Sequence, residues 1–144
     1  MKIVAFASFK GGSGKTTALM AACSSLVAQG VRVALFEADR NAPLSLWRER
    51  ALAQQTWDES CRIYPPDELA SFEGSFEAAE KEGYDVALAD TRGGASDLND
   101  AILVNADLVV VPRPVEGTCA PPAASRPRPS PSRASISTPT TSRR

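Results

Sequence analysis

Short apolar runs alternate along the first 111 residues with longer segments in which apolar side chains recur at helical spacing. Such runs are typical of buried strands, and the helical spacing is clearest at Leu19, Cys23 and Leu26. The predicted strands are residues 3–7, 31–36, 61–64, 86–89 and 108–111. The predicted helices are residues 16–29, 44–54, 67–82 and 97–105.

Two side chains help to define these helices. Asp67 follows Pro65 and Pro66 and is placed to cap the third predicted helix, and Trp47 is expected to anchor the second helix to the core. Strands that alternate with helices imply right-handed crossovers and a mainly parallel sheet covered on both faces. The sequence therefore predicts an α/β fold.

The alternating pattern stops after Glu116. Residues 117–144 hold six prolines, ten serines or threonines and one isoleucine, too little apolar surface to offset the entropy of ordering. We predict that residues 1–116 are the N-terminal part of a domain and that residues 117–144 are disordered. A basic, proline-rich tail for a partner or nucleic acid is one interpretation. We favour a shifted or truncated reading frame, because the change falls where the fold needs its next helix.

Charge and composition narrow the function classes. Residues 1–116 carry 11 basic and 17 acidic side chains, a net charge of −6, whereas residues 117–144 carry five arginines and no acid. Histidine is absent, which excludes histidine-based general base catalysis and histidine metal sites. The three cysteines, Cys23, Cys61 and Cys119, are odd in number and far apart, as expected of reduced thiols. With no export signal and no apolar run near the length of a bilayer, a soluble cytoplasmic protein is predicted.

A glycine-rich loop, "SFKGGSGKTTALM", follows the first predicted strand. Phe9 occupies the place of the first glycine in the usual phosphate-loop expression G-x-x-x-x-G-K-[ST], but Gly14, Lys15 and Thr16 satisfy its end. The amides of this loop can turn inward around an anion, and the following helix adds its positive dipole end. Lys15 can reach the β- and γ-phosphates of a nucleotide, and the Thr16 hydroxyl can ligate Mg²⁺. The predicted nucleotide-binding residues are Gly11, Gly12, Ser13, Gly14, Lys15, Thr16 and Thr17.

The stretch "KGGSGKTT" resembles the deviant Walker A motif of the ParA/MinD family of ATPases, which have a Rossmann-like P-loop NTPase fold. The resemblance implies ATP and Mg²⁺ as cofactors. It also implies a homodimer closed over the nucleotides, in which Lys10 reaches the phosphates bound by the partner subunit. Lys10 would then act in trans, as an arginine finger does, while Lys15 serves its own nucleotide.

Two motifs of that family that contain acidic residues have counterparts in this sequence. "LFEAD" looks like the first switch, with Asp39 as the acid that orients the attacking water or senses Mg²⁺ and Glu37 in place of the family's first acid. Alternatively, both are capping or solvated carboxylates at a strand end. "YDVALADTRGG" looks like a Walker B strand, with Asp90 holding the Mg²⁺ shell together with Thr16. Gly93 and Gly94 are interpreted either as a loop that closes on the γ-phosphate or as a plain turn.

"ALADTRGG" and "PLSLWRERAL" are similar to the VirC subgroup, the ParA-like ATPases of bacterial T-DNA transfer. This resemblance implies DNA and relaxosome proteins as partners and a cytoplasmic, polar location. Plasmid or chromosome partition is the alternative with the same chemistry, and an inactive truncated fragment is the alternative of another class. Loss of the C-terminal part of the domain would leave the strand at 108–111 without neighbours on one side and prone to aggregation.

Overall fold

The five predicted strands form one parallel sheet in the computed structural model, which describes residues 1–8, 12–66, 69–92, 94 and 96–113. The order across the sheet is β3-β2-β4-β1-β5, and each neighbouring pair is parallel. The predicted strands are therefore confirmed, with ends that differ by at most two residues. Their bounds are β1 Lys2–Phe6, β2 Val33–Glu37, β3 Cys61–Tyr64, β4 Val86–Asp90 and β5 Leu108–Val110.

The four predicted helices are also present, one between each pair of consecutive strands. The predicted cap, Asp67, lies outside the described residues. No helix within the described ranges combines the length and apolar character needed to cross a bilayer. The helix bounds are α1 Lys15–Val27, α2 Pro43–Ala53, α3 Leu69–Lys81 and α4 Asp97–Asn105.

The sheet has a separate core on each face. Successive side chains of a strand point to opposite faces, so Leu35 of β2 packs with Leu19 of α1 and Leu44 of α2 in one cluster. Phe36 belongs to the other cluster, where it contacts Phe72 of α3 at a ring-centroid distance of 5.3 Å. The prediction of helices on both faces is confirmed, and Trp47 packs against the first cluster as expected.

The strand β5 lies at one edge of the described sheet and pairs with β1. Asp107 ties this edge to β1, because its carboxylate accepts hydrogen bonds from Ile3 N at 2.8 Å and from Lys2 Nζ at 2.6 Å. The Lys2 ammonium and the Ile3 amide lower the pKa of Asp107. Leu108 and Val109 are 55% and 42% exposed. An apolar edge of this kind favours association with another strand.

Two cysteines far apart in the sequence meet in the fold. Cys23 of α1 and Cys61 of β3 are both buried free thiols, as expected, in the cluster that α1 and α2 form with the sheet. A hydrogen bond between the two thiols raises the pKa of Cys23 and lowers that of Cys61. Cys119 and the predicted tail lie outside the described residues.

Candidate functional site

The loop between β1 and α1 depends on glycine for its conformation. Gly12 and Gly14 have φ angles of 75° and 85°, in the left-handed region that residues with a Cβ atom rarely adopt. Gly14 is the N-cap of α1, and its carbonyl accepts a hydrogen bond from Ala18 N at 2.9 Å. The predicted loop residues Lys10 and Gly11 lie outside the described residues.

The start of α1 has the features of an anion-binding site. No side chain caps this helix, and its first turn holds no acidic residue. The hydroxyl of Ser13 is buried and has no hydrogen-bond partner among the described residues. A phosphate oxygen beside this helix terminus would accept hydrogen bonds from the first amides and from Ser13 Oγ. The described residues therefore fit a phosphate group.

Lys15 and Thr16 meet Asp90 behind this loop. Lys15 Nζ lies 3.1 Å from Asp90 Oδ1, and Thr16 Oγ1 donates to Asp90 Oδ2 at 2.6 Å. The Asp90 side chain is fully buried, and that of Lys15 is 11% exposed. A buried carboxylate is stable only when it is paired and hydrogen-bonded. Lys15 supplies the ion pair, and Thr16 supplies a hydrogen bond.

Thr16 and Asp90 fit a magnesium ion that arrives with a nucleotide. Thr16 Oγ1 and Asp90 Oδ2 are adjacent oxygen atoms, the ligand type that Mg²⁺ prefers. Within the described residues there is no group of three or more Cys, Asp or Glu side chains that could hold a metal ion. Magnesium characteristically takes its remaining ligands from phosphates and water, so one carboxylate and one hydroxyl suffice.

Asp39 lies in the loop that follows β2. Because β2 and β4 are neighbours, this loop starts beside Asp90, and Ala38 N donates to Asp90 O at 3.1 Å. The Asp39 carboxylate accepts hydrogen bonds from the amide and the side chain of Asn41, both at 3.0 Å. The structure therefore brings Asp39 to the same sheet edge as Lys15, Thr16 and Asp90.

Glu37 caps a helix. The sequence left open whether this residue is the first acid of a switch or a capping or solvated carboxylate at a strand end. The side chain is buried, and its carboxylate accepts hydrogen bonds from Leu44 N, Ser45 N and Ser45 Oγ in the first turn of α2. A negative charge at this position compensates the positive end of the helix. Ala42, at the N-cap of α2, has no side-chain hydrogen bond to offer.

Two residues to which the sequence assigns no role, Arg92 and Asn99, hold the loop after Asp90. Arg92 Nε donates to Ala38 O at 3.0 Å, across to the loop that carries Asp39. The Asn99 side chain accepts from Arg92 N at 3.2 Å and donates to Arg92 O at 3.0 Å. The sequence signal for Asn99 is weak, because one asparagine in the first turn of an ordinary amphipathic helix suggests no particular partner.

The sequence matches a family of known proteins. The family model described as VirC1 protein matches residues 1–117. The virC1 proteins of Rhizobium radiobacter and Rhizobium rhizogenes are 54% and 51% identical to this chain over 112 residues, which is 78% of this chain and 48% of each relative. The chain thus spans about half the length of the curated relatives it matches.

Solved structures with the same fold include a plasmid partition protein of Borrelia burgdorferi, with 18% identity, a TM-score of 0.60 and coverage of 76% of this chain and 64% of that one. The MinD cell division protein of Aquifex aeolicus has 23% identity, a TM-score of 0.58 and coverage of 77% and 56%. A putative partition protein of Borrelia burgdorferi bound to AMPPNP has 18% identity, a TM-score of 0.56 and coverage of 77% and 62%. The fold is thus that of the ParA/MinD P-loop NTPases, and the chain itself belongs to the VirC1 protein family.

Proposed function

We propose that this chain carries the nucleotide-binding part of a Mg²⁺-dependent, ParA-like ATPase that dimerises on ATP and acts in DNA transfer. The observation that carries the proposal is the contact of Lys15 and Thr16 with the buried Asp90, at the start of an uncapped helix. These are the partners that a P-loop enzyme needs for the phosphates of a nucleotide and the accompanying metal ion.

Each site residue has a proposed role. The amides of Gly11, Gly12, Ser13, Gly14 and Thr17 cradle the phosphates, and the ammonium of Lys15 neutralises charge on the β- and γ-phosphates. Thr16 and Asp90 would hold Mg²⁺, which supplies positive charge against the phosphate oxygens. Asp39, in the loop beside Asp90, orients the attacking water or responds to the metal ion. Lys10 extends to the phosphates bound by the partner subunit.

The nucleotide proposal has support outside the site. A Borrelia burgdorferi protein of the same fold is bound to AMPPNP, an ATP analogue. Burial keeps Asp90 and Lys15 in place, which favours a preorganised site.

The biological setting follows the family. Membership of the VirC1 family favours DNA transfer, with relaxosome proteins as partners and a cytoplasmic, polar location. The net charge of −6 over residues 1–116 does not itself provide a basic surface for DNA. Plasmid partition is the second candidate, and the partition proteins of the same fold favour it. A neighbouring gene for a centromere-binding protein would support partition, and neighbouring transfer genes would support the first proposal.

Calorimetric titration tests the nucleotide half of the proposal. We expect ATP to bind at least about tenfold more tightly with Mg²⁺ than with EDTA, because Thr16 and Asp90 would hold a metal ion whose charge offsets that of the phosphates. The titration uses the full chain, with circular dichroism as evidence that the sample is folded. A folded sample that takes up no ATP in magnesium buffer would contradict the proposal.

Sedimentation velocity tests the dimer. Lys10→Ala should bind ATP as the wild-type chain does but remain monomeric, since Lys10 is proposed to contact the nucleotide of the partner subunit. Lys81→Ala is the matched control, because Lys81 is exposed on α3 and pairs there with Glu77. A Lys10→Ala chain that dimerises on ATP as well as the control would rule out the role in trans.

A further inference from the structure

Arg92 connects the loops that follow β2 and β4 at the carboxyl edge of the sheet. Its backbone belongs to the loop that follows Asp90, and its Nε donates to the carbonyl of Ala38 at 3.0 Å. Ala38 immediately precedes Asp39, so this hydrogen bond fixes the start of the Asp39 loop. The Ala38 amide donates to Asp90 O at 3.1 Å, and Ala38 is therefore held through both its backbone N–H and its carbonyl.

Asn99 holds Arg92 from the other side. This residue is 4% exposed, and its amide group binds both backbone polar groups of Arg92 and donates to Gly94 O at 2.7 Å. The backbone N–H of Asn99 donates to the Oγ of Ser96, the N-cap residue of α4, at 3.1 Å. A buried amide with all these partners has little freedom to rotate. The backbone of Arg92 is consequently tied to the first turn of α4 by these hydrogen bonds.

We propose that Arg92 is a positioning residue that couples the Asp39 loop to the loop after Asp90, with Asn99 as its support. The effect on nucleotide binding rests on the proposed function, whereas the coupling of the loops does not. In that function the two loops flank the γ-phosphate, and Asp39 must be held in one place to act on it. ADP contacts the glycine-rich loop but not this pair of loops. The coupling should therefore strengthen binding of ATP more than binding of ADP.

A pair of substitutions isolates the hydrogen bond to Ala38. Glutamine places its side-chain nitrogen where arginine has Nε, so Arg92→Gln keeps the donor and removes the charge. Methionine places a methyl group at the same position, so Arg92→Met removes both donor and charge at similar length. Arg50→Met is the control for loss of an arginine away from the site, because Arg50 is exposed in the last turn of α2.

Hydrogen exchange reads the coupling without any nucleotide. The backbone amides of Asn41 and Ala42 donate hydrogen bonds to Asp39. In Arg92→Met we expect the protons of these two amides to exchange roughly three- to tenfold faster than in the wild type. Arg92→Gln and Arg50→Met should exchange at the wild-type rate. Equal rates in Arg92→Met and the wild type would overturn the coupling.

Nucleotide titrations read its consequence. We expect Arg92→Met to lose roughly tenfold in ATP affinity and nothing in ADP affinity, and Arg92→Gln to restore ATP binding. Equal loss of ATP affinity in the methionine and glutamine variants would show that the charge acts on the nucleotide directly and would overturn the positioning role. A wild-type chain that binds no ATP contradicts the proposed function alone, because hydrogen exchange still decides the coupling.

Discussion

Replacing Lys15 with methionine is expected to weaken binding of Mg²⁺–ATP by roughly 100-fold or more. The ammonium is nearly buried, 3.1 Å from Asp90, and is the cation at the start of α1 within the described residues. Removing it leaves the phosphates with hydrogen bonds from amides and with Mg²⁺, but without the positive charge of the ammonium. Calorimetry with ATP, with and without Mg²⁺, measures the loss.

The same substitution should also destabilise the protein, so binding and folding must be separated. Lys15→Met leaves the fully buried Asp90 carboxylate without its ion pair, at a cost on the order of 3 kcal/mol. A double variant with Asp90→Asn removes this unpaired charge and should regain most of the free energy of unfolding, which would attribute the loss of stability to the unpaired carboxylate. Near-wild-type affinity in a folded Lys15→Met chain would disprove the phosphate-binding role of Lys15.

Replacing Glu37 with alanine is expected to lower the free energy of unfolding by about 2–3 kcal/mol. The buried carboxylate binds the first-turn amides of α2 and the Ser45 hydroxyl, and alanine would leave these donors without their acceptor. Urea unfolding followed by circular dichroism measures the change. Glu37→Gln, which keeps one acceptor oxygen but no charge, should fall between alanine and the wild type.

Glu49→Ala provides the matched control for Glu37, because Glu49 is an exposed acid on the same helix. Once the fraction of folded chain is taken into account, Glu37→Ala should bind ATP as the wild type does, since the carboxylate is engaged with α2. If Glu37→Ala were as stable as the control but lost ATP hydrolysis, the side chain would be a catalytic acid and its capping role would be secondary.

Some residues of the site can be identified from the sequence alone, and others only from the fold. Lys15 and Thr16 could be identified from the sequence because a phosphate-binding loop is built from consecutive residues between a strand and a helix. Asp90 could be placed beside them by the rule that ligands bind at the carboxyl ends of parallel strands. Asn99 could not, because its role requires knowing that the loop after Asp90 returns over the first turn of α4.

The sequence by itself determined the helices, the strands and the chemistry of the glycine-rich loop. All three depend on neighbouring residues, through the spacing of apolar side chains and the backbone freedom of Gly12 and Gly14. Only the tertiary structure decided the strand order β3-β2-β4-β1-β5, and with it which strand ends meet. That order brings Ala38 within reach of Arg92, although 54 residues separate the two along the chain. The tertiary structure also decided the role of Glu37. Its carboxylate is buried on the face of the sheet where α2 begins, and the first-turn amides of α2 are the donors within reach.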